Sequence, residues 1–237
     1  MTTMPFAARD YLPVLGKLTG EFAGVLRTAD PAAPVPDCAG WTVTDLATHL
    51  GNVHRWAATV VRTGEVQPQN FATEAGGDLA SWYSEGARLL LDALGDADPE
   101  DPCWHFGGTE KTKAFWYRRQ VHETAIHLAD AGSDHVLDPA VAADGVDEVL
   151  GSMLPRVTRW HPVPRLPGPV TVRATDTGDV WTVHPGEPPA LGPAADDAAS
   201  VEAPARDLLL RLWKRTGPAP RTTGGAAEAL LAAPLTP

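Results

Sequence analysis

The stretch RRQVHETAIHLADAG, residues 118–132, places Glu123 and His127 four positions apart in a segment of helical character. Side chains at i and i+4 lie one turn apart on the same face, about 5–6 Å between Cβ atoms. A carboxylate and an imidazole so placed can share one small cation. Arg119 lies one turn before Glu123 and borders the same face. Asp130 follows His127 and can orient its ring from behind. A second histidine, His49, stands in DLATHLGNVHRWA beside an apolar stripe of Leu46, Leu50, Val53 and Ala57. In helical bundles, metal ligands project inward from facing helices. His49 is therefore the expected third ligand. Two nitrogens and one oxygen suit zinc in a catalytic site with an open position. They suit equally the two-histidine, one-carboxylate set of non-haem iron. A non-catalytic, metal-stabilised binding module is the third possibility.

The remaining candidates read as ordinary residues. His54 is five positions from His49, which is poor helical spacing. His122 points about a quarter-turn from Glu123. Both are expected on the surface or hydrogen-bonded in the core. His105, His135, His161 and His184 have no clustered partner in the sequence. The tryptophans at 41, 56, 82, 104 and 116 are expected to build core and rim. Arg118 is expected as surface charge, and Arg119 also unless the site recruits it. Cys38 and Cys103 match no metal or redox spacing and read as inert thiols. No glycine-rich phosphate loop, GxSxG or dinucleotide fingerprint occurs.

The elements that must carry this site follow from periodicity. Residues 7–29 place Tyr11, Leu12, Leu15, Leu18, Phe22, Val25 and Leu26 at helical spacing. After a proline-rich loop at 30–41, Thr42 and Asp45 form a capping box for a second helix that runs to about Arg62 and stops at Gly64. Leu79 to about Gly95 is a third helix, and Lys113 to Ala131 a fourth. Residues 65–77, and DADPEDPCWHFGGTEKT between the last two helices, read as loops. Beyond residue 138 the pattern changes. A helix is expected over 147–160, a hairpin over 170–185 with Thr177-Gly178 at its turn, a strand near 199–202, a helix in APARDLLLRLWKR, and a last short helix in AAEALLAAPLTP. The expected architecture is a two-domain α+β chain. A four-helix bundle occupies 1–138 and a small α+β domain 139–237, with the boundary near 133–145.

Composition narrows the partners. The chain has 237 residues with 43% hydrophobic content, enough for two modest cores. The net charge of −11 argues against nucleic acid. No apolar run is long enough to span a membrane. MTTMPFAARDYLPVLG lacks the basic-then-apolar order of a secretory signal, so a cytoplasmic protein with reduced cysteines is expected. The oligomeric state is left open.

GWTVTDLATHLGNVHRWA together with FWYRRQVHETAIHLADA resembles the mycothiol-dependent maleylpyruvate isomerase family, whose bundles are DinB-like. ATDTGDVW and GPAADDAASVEAPARDLLLRLWKR are similar to that family's C-terminal domain. The resemblance implies a divalent metal, typically zinc, held by His49, Glu123 and His127. It also implies mycothiol as the thiol cofactor and a small-molecule electrophile as the partner. The reaction would be cis–trans isomerisation or S-transfer, with Arg119 steering a carboxylate or the thiol. The family pattern has an arginine and an aromatic after the last ligand. Here Leu128 and Ala129 stand there, so the ligands carry over but the substrate does not.

Overall fold

A computed structural model describes residues 6–69, 71, 75, 77–108, 110–133 and 135–237. The chain divides into two compact units, the first ending at His135 and the second running from Val136 to Pro237.

Four long helices form the first unit: α1 (Tyr11–Leu26), α2 (Val43–Thr63), α3 (Leu79–Asp96) and α4 (Ala114–Asp130). Each of α1 and α2 packs on both α3 and α4. The local signals explain the boundaries. Thr42 accepts from the Asp45 N–H at 3.3 Å, and the Asp45 carboxylate accepts from the Thr42 N–H at 2.8 Å, which closes the capping box of α2. Gly64 ends α2 with φ 72°, a left-handed conformation that favours glycine. Asp78 caps α3 by accepting from the Ser81 N–H at 2.8 Å. Leu46, Leu50, Ala57, Val60 and Val61 on α2 are buried, as are Leu15, Leu18 and Phe22 on α1 and Tyr83, Leu90 and Leu94 on α3, in a core from which water is excluded. Each such leucine contributes about 2 kcal/mol by burial.

Helix α4 is buried around nearly its whole circumference. Arg118 and Arg119 are only 5% and 4% exposed, which corrects the expectation of surface charge. The sequence could not show this, because α4 carries polar residues on several faces and only its neighbours cover them. Trp116 and Tyr117 are fully buried, and the Trp116 ring meets Trp56 and Trp104 at centroid distances of 5.2 and 6.3 Å. The connection before α4 has no regular element, as expected, but is pinned. Trp104 donates its N–H to the Gly64 carbonyl at 2.7 Å, and Cys103 donates its own to the Lys111 carbonyl at 2.9 Å.

In the second unit a helix, α5 (Pro139–Glu148), begins earlier than expected. Asp138 caps it through the Ala140 N–H, with Pro139 in the first turn, where proline is pre-organised. From Val149 to Met153 the ladder widens to π geometry, and Leu154–Arg159 tightens to 3-10. Pro155 cannot donate, and its ring opposes the Gly151 carbonyl, so a regular α-helix over 147–160 is not possible. The expected hairpin is present as β1 (Val170–Ala174) and β2 (Val180–His184), with Gly178 at φ 82° in the turn. The other strands are β3 (Ala190–Gly192), β4 (Ala199–Ala203) and β5 (Arg221–Thr223). They give one sheet in the order β3-β2-β1-β4-β5, parallel only between β1 and β4. Helices α6 (Ala205–Leu212) and α7 (Gly225–Ala232) pack against β1 and β4. Among the described residues, no helix is long and apolar enough to cross a membrane.

One buried contact ties α2 to α4 behind the candidate site. The Thr124 hydroxyl donates to the Gln120 carbonyl at 2.7 Å, so it accepts from His54 Nε2–H at 3.1 Å. His54 Nδ1 is then the bare nitrogen, buried with no partner. Burial, only partly offset by the Glu123 charge, pushes the His54 pKa down to about 3. The unfolded chain takes up this proton near the ordinary value of 6.5 and the folded chain does not. His54 therefore adds an acid penalty of about 1.4 kcal/mol per pH unit below 6.5. His54→Gln keeps a donor for Thr124 and cannot titrate. Urea unfolding of both proteins at pH 6.5 and 5 is expected to show a loss about 2 kcal/mol larger in the parent. Equal losses would show that His54 is not held neutral.

Candidate metal centre

The packing of α2 on α4 brings His49 to Glu123 and His127. His49 Nε2 lies 3.5 Å from Glu123 Oε1, and His127 Nε2 lies 3.3 Å from that same oxygen. The three ligand atoms are all within 4.8 Å of one another. The two imidazole–carboxylate separations are long for hydrogen bonds. They match the spacing of ligand atoms around a tetrahedral ion, about 3.3–3.4 Å for metal–ligand distances of about 2.0–2.1 Å. Donor type and these two separations therefore fit a divalent cation. The side chains of His49, Glu123 and His127 are 29%, 13% and 7% exposed, so access lies on the His49 side.

Each donor is held from behind. The second carboxylate oxygen of Glu123, Oε2, accepts from Arg119 Nη2. Burial alone would raise the Glu123 pKa, but the Arg119 charge, with contacts from His127 and His49, holds the carboxyl well below its ordinary range. The metal-facing carboxylate is thus ionised. His127 Nδ1 lies 2.9 Å from Asp130 Oδ2, whose side chain is fully buried. That contact assigns the Nδ1 proton and turns Nε2 toward Glu123. Burial opposes a charge on His127, but Asp130 and Glu123 raise its pKa to about 9. Without a cation, a proton on His127 supplies the positive charge that these carboxylates attract.

The structure thus joins His49, Arg119, Glu123, His127 and Asp130. It leaves His54 and His122 in the core, both fully buried. His105 is stacked on Phe115 at 4.2 Å, away from the triad's own contacts. Three further neighbours were not foreseen. The Trp41 ring packs on His49 at 5.0 Å and lies near-parallel over His127 at 6.5 Å and 24°. Phe71 meets His49 edge-on at 5.9 Å. Cys38, half-buried, donates its thiol to Asp130 Oδ2 at 3.4 Å. All three lie on loops, where no periodicity announces which way a side chain turns. The one available signal was the closeness of Trp41 to the capping box that starts the His49 helix.

The model of the Mycothiol maleylpyruvate isomerase N-terminal domain matches residues 15–132, and that of the MDMPI C-terminal domain matches residues 140–233. The chain belongs to the mycothiol maleylpyruvate isomerase family. Crystal structures of the mycothiol-dependent maleylpyruvate isomerase and of a histidine-to-alanine mutant of it are similar throughout. Their TM-scores are 0.68 and 0.70, at 14% and 13% identity. Each comparison covers 100% of this chain and 99% of the other. Likeness at that identity speaks for the fold: a four-helix bundle followed by a small mixed-sheet domain. No curated relative matches by sequence. The triad of this family member spans α2 and α4, both inside the part matched by the first domain.

The geometry assigns different losses to different substitutions. Glu123→Gln, His49→Ala and His127→Ala are each expected to bring bound divalent metal from one per chain to background, by elemental analysis after dialysis. Full occupancy in any of them would reject that ligand. Arg119→Lys is expected to weaken metal affinity about 10- to 100-fold, the usual range for a group that orients a ligand. The substrate affinity of the metal-loaded variant should be unchanged. Full metal affinity with weakened substrate binding would instead place Arg119 on the substrate.

Proposed function

We propose that the protein is a metal-dependent enzyme that uses a low-molecular-weight thiol, mycothiol by its family, to act on a small electrophile as a cis–trans isomerase or an S-transferase. The observation that carries this reading is the convergence of His49 Nε2, His127 Nε2 and Glu123 Oε1 on one point with one partly open side. When bound, a divalent ion holds a thiol as its thiolate at neutral pH, and a thiolate adds to an electrophilic double bond, giving isomerisation if it leaves again and S-transfer if it stays. Zinc accepts two nitrogens and one oxygen, and three protein donors are the number found in catalytic rather than structural zinc sites.

The chain's own residues have distinct tasks in this reading. His49 and His127 offer their Nε2 lone pairs, and Glu123 offers Oε1 with a negative charge. Asp130 keeps the His127 proton on Nδ1, so that Nε2 stays available. Arg119 holds Glu123 Oε2, which fixes the carboxylate's rotation and keeps it ionised. Trp41 packs beside the imidazoles of His49 and His127.

The test uses the purified chain loaded with one zinc per molecule. With mycothiol and a cis-configured unsaturated carbonyl compound, turnover is expected to need both metal and thiol. Chelation should abolish it while the far-UV circular dichroism keeps its helical signal, because the bundle's core is apolar and independent of the triad. Turnover without thiol would overturn the reading, as would stoichiometric iron with oxygen-dependent turnover. Collapse to coil on chelation would make the metal structural.

A further inference from the structure

The substrate class can be argued from what surrounds the triad's exposed side. His49 is the most exposed of the three ligands, and two aromatic rings pack on it, Trp41 at 5.0 Å and Phe71 at 5.9 Å. Trp41 also reaches over His127, inclined by only 24° to that ring. Both aromatics are half-buried rather than sealed in the core. An amphipathic ring left partly open beside a polar focus is a common way to bind an apolar face next to a reacting group.

The main chain that carries both rings is also held in place, by backbone groups of Trp41 and Phe71. Trp41 donates its N–H to the Cys38 carbonyl at 2.9 Å, and its carbonyl accepts from the Val35 N–H at 2.9 Å, so the loop before α2 is closed on itself. The Phe71 carbonyl accepts from Asn52 Nδ2 at 3.3 Å, and the Gln67 carbonyl accepts from Trp56 Nε1 at 3.0 Å. Side chains of α2 thus anchor the following segment at two points, one of them at Phe71 itself.

The guanidinium that borders the triad, Arg119, is 4% exposed and already paired with Glu123. It does not present itself to an incoming carboxylate. Asp130 is turned away from solvent and spent on His127 and Cys38. Among the described residues of this unit, the side chains in contact with His49 on its exposed side are therefore ring faces.

We propose that the site takes a flat, conjugated carbonyl compound of low charge, laid against the Trp41 ring with Phe71 beside it, in preference to a dicarboxylate. Reaction of such a compound at the site rests on the thiol reading above, but the binding preference does not. Three unreactive probes separate these points: benzylacetone, which carries an aryl ring; its cyclohexyl counterpart, equally apolar but not flat; and succinate, a dianion. Each is titrated by calorimetry into the full-length, zinc-loaded protein without thiol. Benzylacetone is expected to bind about 3- to 10-fold more tightly than the cyclohexyl probe, the range of an aromatic contact beyond burial, and more tightly than succinate.

Trp41→Leu keeps apolar cover over the histidines but removes the flat face. It is expected to remove the aryl preference at unchanged metal content, and Trp41→Phe is expected to retain part of it. Tightest binding of succinate overturns the proposal, as does an aryl preference that survives in Trp41→Leu. If Trp41→Leu loses its metal, the three probe affinities of the parent and Trp41→Phe decide. Aryl binding without any thiol-dependent turnover would overturn the proposed function and leave this inference standing. Thiol-dependent turnover with succinate-preferring binding would do the reverse.

Discussion

An ionised carboxylate in the interior of a helical bundle is the constraint on which the site's arrangement depends. Removing such a charge from water costs several kcal/mol unless it is paired and its oxygens are satisfied. Glu123 meets that condition from both sides. Oε2 takes the Arg119 guanidinium, and Oε1 faces two imidazoles. Those contacts leave the carboxylate with one open demand, a positive charge at the point where the imidazoles converge. A proton on His127 answers it in the metal-free protein, as the raised pKa of that residue shows. A divalent cation answers the same demand with more charge and with both nitrogens as ligands. The balance that keeps Glu123 ionised is thus one that would also suit a divalent cation.

The bundle places this balance by giving the two faces of α2 different work. His49 and His54 are five residues apart, about 140° around the helix at 100° per residue. One ring points to the triad. The other is sealed in the core against Thr124, on the same α4 turn that carries Glu123. Through that contact α2 and α4 are tied one residue from the ligand, and the register that brings His49 to Glu123 is fixed without the metal. Apolar contacts supply the cohesion. Leu46, Leu50 and Ala57 are fully buried on the helix that supplies only one donor.

Much of this was legible in the sequence, for reasons that differ by element. The triad was visible because helical spacing converts sequence distance into a shared face. Glu123 and His127 needed only the helix, and His49 needed only the stripe beside it. Asp130 was legible on the same ground. The ends of α2 were legible because the Thr42–Asp45 box and Gly64 are local chemistry. What depended on distant neighbours was not. Arg118 and Arg119 look solvated until α1, α2 and the pinned 102–112 connection cover α4. The start of α5 was signalled by Asp138-Pro139, but the apolar run after it drew the expected helix too far along, past a proline that breaks it. Strands β3 and β5 have three residues each, and β5 is exposed throughout, so neither has an alternating pattern to read.

The loop residues mark the deeper limit of such reading. Cys38 and Trp41 reach the site because the chain from Pro34 to Thr42 closes on itself, through a bridge between those residues and the Val35–Trp41 hydrogen bond. That closure is a property of backbone pairing, not of side-chain period. It gives the centre two independent parts. Donors from α2 and α4 set which charge can be held where they converge. Rings from the loops on either side of α2 border that point without supplying a donor. Leu128 and Ala129 fit that separation: they follow the last ligand directly, Leu128 is buried in the bundle, and neither disturbs the donors.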